Sequence, residues 1–89
     1  MTTMFIRHQV NDYAAWRKVY DDFRPTQTRL GVTAEAVYRA ADNPNDITVT
    51  HDFASVDAAQ AFANSAELHS TMANAGVAGE PAVWFAQRA

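Results

Sequence analysis

Two histidines stand out among the side chains able to do chemistry, because each interrupts an otherwise apolar alternating set. Met4, Ile6, His8 and Val10 share one side of residues 4–10, and Ile47, Val49, His51 and Phe53 share one side of residues 47–53. A neutral imidazole held beside a tyrosine hydroxyl can remove an acidic proton next to a carbonyl while the phenol donates to the developing enolate oxygen. Tyr38, expected on the same face of an adjoining strand, is the candidate donor that completes the catalytic set with His8 and His51. In the expected order the strands of the two histidines are neighbours running parallel, so rings at one level would lie about 5 Å apart. Two close imidazoles resist double protonation, and burial favours the neutral form further. Taken singly, each histidine also reads as a structural group bonded to backbone or water.

Around this trio the sequence offers an apolar wall. Tyr13, Trp16 and Tyr20 recur at helical spacing and Phe62 lies on a second helix, so these four are candidate substrate-binding residues as well as core packing. His69 joins them as a candidate at the cleft edge. Arg7, Arg39 and Asp52 are expected on the far side of the sheet, in salt bridges or binding an anionic group. No histidine spacing suits a metal, and no glycine-rich run suits a nucleotide phosphate, so neither a metal nor an organic cofactor is expected. The chain has no cysteine, hence no disulfide and no thiolate nucleophile.

The elements that must position these residues follow from periodicity. Residues 4–10 alternate as a strand; Asn11 or Asp12 caps a helix over about 11–24, which Pro25 is expected to stop. After Gly31 a second strand alternates, with Val32, Ala34, Ala36 and Tyr38 on one side and Val37 and Arg39 on the other. Ala41–Asp46 is dense in turn formers, and Ile47–Phe53 is rich in branched residues. Ser55 opens a helical stretch that Ser65 can recap near a kink at Asn64 and that ends at Gly76. A last strand covers Ala82–Ala86.

This order is β-α-β-β-α-β, the split βαβ pattern of α+β ferredoxin-like folds: a four-stranded antiparallel sheet in order 4-1-3-2 with both helices on one face. At 89 residues it is a single domain, small enough that burying more surface by self-association would add stability. Phe5, Val37 and Trp84 are expected on the uncovered face, which suggests a second copy there. A net charge of −3 leaves no footprint for nucleic acid or an anionic membrane. No apolar run suits a signal peptide or a membrane span, so a cytoplasmic protein is expected.

Several runs carry a resemblance. Arg7-His8-x-Val10-x-Asp12-Tyr13-x-x-Trp16, Asp42-Asn43-Pro44-Asn45, Ala58-Ala59-x-Ala61-Phe62-Ala63-x-Ser65-x-Glu67-Leu68 and Met72-x-x-Ala75-Gly76-Val77-x-Gly79-x-Pro81 together resemble small bacterial proteins labelled as cyclases. Those are similar to antibiotic biosynthesis monooxygenases of the dimeric α/β-barrel superfamily. The resemblance implies a homodimer, a pocket between sheet and helices, and cofactor-free chemistry on a small hydrophobic or aromatic, polyketide-like molecule. It leaves three functions open: a cyclase-type acid/base reaction, a cofactor-independent monooxygenation of phenols, or non-catalytic binding of a small molecule. The monooxygenases use Trp, Asn and Tyr side chains; Trp16, Trp84, Asn64, Tyr13 and Tyr38 are of those types. The Tyr that a relative, olivetolic acid cyclase, uses near its second helix has no counterpart in Ala61–Leu68.

Overall fold

The computed structural model describes all 89 residues. Strand β1 (Thr2–Val10), helix α1 (Tyr13–Arg29), strands β2 (Ala34–Ala40) and β3 (Asn43–Phe53), helices α2 (Val56–Ala63) and α3 (Ala66–Asn74) and strand β4 (Val77–Gln87) follow in order. The sheet is antiparallel throughout in the order β2-β3-β1-β4, which is the expected 4-1-3-2 read from the other edge. All three helices lie on one face, and no helix is long and apolar enough to cross a membrane.

Local chemistry explains the boundaries. The Asp12 carboxylate accepts from the Ala14 N–H at 2.9 Å, satisfying one of the free amides that open α1. Pro25 does not end α1, which continues to Arg29. One backbone hydrogen bond is lost there, while the added turn buries Gln27 and lets the Leu30 N–H bond back to the helix end. The expected kink becomes a full break: Ser65 accepts from the Leu68 N–H at 3.2 Å and donates to the Phe62 carbonyl at 2.7 Å, so one hydroxyl closes α2 and opens α3.

Met4, Ile6, Phe53, Ala59, Phe62 and Leu68 form the main core, with Val10, Trp16, Tyr20, Ile47 and Val49 in a second cluster at the other end. β3 begins at Asn43, earlier than turn chemistry suggested, and pairs with β2 through an irregularity at Arg39/Ala40. A one-residue difference in register exchanges the faces of a strand. Thus Val37, opposite Val49, and Arg39, opposite Ile47, face the helices, while Tyr38, opposite Thr48, faces away. These placements correct the face expected for all three residues. Ala34 and Ala36 carry too little side chain to set the strand's phase against a Val37 that packs on the core.

β4 is far longer than the expected five residues and is irregular next to His8. Arg7 pairs with Ala82 and Gln9 with Ala78, so a short span of β1 faces a longer span of β4. The excess is taken up around Gly79-Glu80-Pro81, where Gly79 adopts φ +73° and Pro81 needs no ladder donor.

Candidate active site

The helices and sheet enclose two neighbouring spaces. The larger is an open chamber of about 730 Å³ between β1 and β4 on one side and α2 and α3 on the other. Its walls are mainly apolar, with Met4, Met72, Val83 and Phe85 prominent. Its polar side chains, Gln60, Asn64 and His69, come from the α2–α3 joint, and no charged side chain lines it. The Ser65 break is what places Asn64 and His69 together on this wall. A 3.0 Å contact joins His69 Nε2 to the Ala63 carbonyl. Since a carbonyl only accepts, Nε2 is the donor in this bond, and Nδ1 is the ring nitrogen left for other partners.

The smaller space, about 30 Å³, lies deeper, beneath α1, and both His8 and His51 line it with Trp16, Tyr20 and Gln27. Both rings are therefore on the helix face, as their alternating sets predicted. They are not at one level. β1 and β3 are antiparallel, with His51 opposite Met4 and His8 opposite Ile47, so the two residues are offset by four positions, about 13 Å along the strands. That corrects the parallel arrangement expected from the sequence. The Ile6–Val49 pair stands between them.

Tyr38 does not complete the trio. Its side chain is on the opposite face of the sheet and 59% exposed. The phenol nearest His51 is Tyr20, 6.3 Å between ring centroids, and its hydroxyl donates to Glu35 Oε1 at 2.8 Å. Glu35, directly opposite His51 on β2, also accepts from Arg24 at 3.3 Å. Burial, with the Glu35 carboxylate adding to it, pushes the Tyr20 hydroxyl well above its usual range. Burial also lowers His8, and holds His51 down at about 4 against 6.5 for a free ring, with Glu35 and Asp52 only partly opposing. Both imidazoles are thus neutral near pH 7, and none of their ring nitrogens has a hydrogen-bond partner.

The proposed wall residues divide. Trp16 and Tyr20 border the inner hollow, stacked at 5.0 Å. His69 borders the chamber. Tyr13 and Phe62 line neither space: Tyr13 lies between Trp16 and the Arg39 guanidinium, and Phe62 fills the core between His51, Phe23 and Phe53. Arg7 and Asp52 are on the open face as expected, Arg7 bonded twice to Asp46 at 3.1 and 2.6 Å and Asp52 accepting from Thr3 at 2.6 Å. Gln27, Gln60 and Glu35 were not singled out from the sequence. Gln27 lies beyond Pro25, where the helix was expected to be over, and the spacing of Gln60 from Asn64, one turn apart, was the one available signal for the other wall.

Comparison with solved structures places this architecture. A protein of Bordetella bronchiseptica, provisionally described as an antibiotic biosynthesis monooxygenase, superposes with a TM-score of 0.86 at 21% identity, covering 99% of this chain and 96% of that one. The fold is that of the antibiotic biosynthesis monooxygenase-like structures. SnoaB, a cofactor-independent oxygenase from Streptomyces nogalater, matches with a TM-score of 0.77 at 15% identity over 99% of this chain and 94% of its own. A Caulobacter crescentus protein of the same provisional description reaches 0.80 at 17% identity, over 99% and 89% of the two chains. No protein-family model matches the sequence, and no curated protein does.

Proposed function

We propose that this protein is a cofactor-independent monooxygenase acting in the chamber on a small, uncharged, phenol-like aromatic molecule. The observation that carries the reading is the chamber itself, roomy enough for a ligand of drug-like size and walled by apolar side chains with one imidazole and two amides at one end. The shared fold with SnoaB supports it. His69 Nδ1 is the group suited to take a proton from the substrate, and the Asn64 and Gln60 amides are suited to donate to the oxyanion so formed. The resulting carbanion gives up its electrons to dioxygen and a C–O bond forms; the proton held by His69 passes to the peroxide, and loss of the remaining proton from that carbon as the O–O bond breaks releases water and leaves a carbonyl.

An oxygen electrode tests this with 1,8-dihydroxyanthrone in chelator-treated buffer. Protein-dependent oxygen uptake that falls in His69→Ala is the expected result. Binding of the anthrone without oxygen uptake would overturn the reading and leave a binding module. A cyclase-type reaction is the second reading, favoured by the two neutral imidazoles of the hollow; it predicts turnover of a linear poly-β-ketone without oxygen, with Tyr20 as the nearest phenol in place of Tyr38.

We also propose a homodimer through the open face of the sheet. Its support is the Phe5–Trp84 pair, stacked at 5.3 Å with Trp84 44% exposed.

A further inference from the structure

The hollow beneath α1 holds an unusual concentration of unsatisfied polar atoms. Both ring nitrogens of His8, both of His51 and the Gln27 side-chain oxygen are buried with no partner, in residues no more than 7% exposed. Buried polar groups are ordinarily bonded, and each one left bare costs about 1–3 kcal/mol. The residues that carry these atoms line a common space of about 30 Å³, enough for a water-sized group. Neutral imidazoles each offer one donor and one acceptor, and the amide oxygen offers an acceptor. The matching group is uncharged and both donates and accepts, as a hydroxyl does.

What separates this hollow from the chamber is thin. Ile6, Leu68 and Met72 line both spaces. Ile6 is fixed in the sheet and Leu68 in the core, whereas Met72 is only partly buried and is an unbranched, flexible side chain able to change rotamer at little cost. We infer that the hollow is the inner end of the chamber: Met72 turns aside, and the hydroxyl of an uncharged ligand enters to bond with His8, His51 or Gln27 while its apolar body stays between α3 and β4. This rests on the chamber binding a small molecule, as proposed above. It gives the ligand a defined polarity, hydroxyl inward and hydrocarbon outward.

The test is NMR titration with 4-propylphenol, following the imidazole nitrogens of His8 and His51 and the side chains of Val83 and Phe85. Movement of both sets is expected in the native chain. In Met72→Ile, of similar volume but stiff, the Val83 and Phe85 changes should persist while the imidazole changes vanish. Masking the hydroxyl as 4-propylanisole, or replacing its partner in Gln27→Leu, should weaken binding about five- to tenfold, the usual worth of such a bond. Shifts at Val83 and Phe85 with both imidazoles unmoved in the native chain would overturn the inference and leave the chamber standing. No shift at any of these positions would overturn the chamber's role as well.

Discussion

At the scale of single residues, the protein's chemistry is set by where imidazoles are wet and where they are dry. His69, on the chamber wall, commits Nε2 to a backbone carbonyl and leaves Nδ1 outside that bond; His51, 2% exposed, is held neutral by burial. Its folded-state value lies below that of the unfolded chain, so the unfolded chain binds the proton first as pH falls. Stability is therefore retained above about pH 6.5 and declines progressively toward pH 4, by about 3 kcal/mol for a shift of this size. His8 acts in the same direction. Urea unfolding at pH 7.0 and 4.5 checks this: the midpoint should fall in the native chain and fall less in His51→Leu. A midpoint independent of pH in the native chain would contradict a buried neutral His51. For His69→Ala the expectation under the proposed reaction is a loss of about a hundredfold or more in kcat, typical of removing a general base, with the urea midpoint little changed because the side chain is exposed.

At the scale of elements, the break between α2 and α3 builds the chamber's polar wall. One hydroxyl, Ser65, holds both helix ends. Ser65→Ala should cost about 1 kcal/mol of stability, as a lost cap does, and should also weaken anthrone binding because Asn64 and His69 flank the cap; calorimetric melting and ligand titration read the two effects separately. Phe62→Ala is expected to cost about 3–5 kcal/mol, the range for emptying an aromatic site in a core, since Phe62 packs on His51, Phe23 and Phe53. Denaturant unfolding would show it. On the other side, the irregular stretch around Gly79 interrupts the regular β1–β4 pairing, and Gly79 and Pro81 form part of the chamber wall.

At the scale of the whole molecule, one face of the sheet is covered by helices and the other is not. The open face is not simply greasy: Arg7–Asp46 and Thr3–Asp52 pairs sit beside the Phe5–Trp84 stack. The Arg7 guanidinium holds the Asp46 carboxyl below its ordinary range, so these groups can meet a second sheet with their hydrogen bonds already made. Light scattering should give the mass of two chains, 9.8 kDa each, and Trp84→Asp should give one, because a carboxylate at the centre of a closed interface would be desolvated without a partner. A native chain that remains a single copy at high concentration would remove the dimer from consideration.

The sequence by itself determined what short-range chemistry and periodicity can determine. The order of strands and helices, the helix-facing set of β1 and β3, a cap at Asn11 or Asp12 and caps at Ser55 and Ser65, and the inward aim of His8 and His51 all followed from spacing, because alternation and capping act within a few residues. The tertiary structure decided everything that depends on register. The register that sets His51 opposite Met4 and His8 opposite Ile47 separated the two histidines by four positions, and a shift in the phase of β2 sent Tyr38 outward and brought Glu35 to Tyr20. It also carried α1 past Pro25 to bury Gln27, and gathered Gln60, Asn64 and His69 on the wall of a chamber. Pairing energy is shared among many weak contacts along two strands, so no single residue announces it, and a slip of one position turns every side chain to the other face.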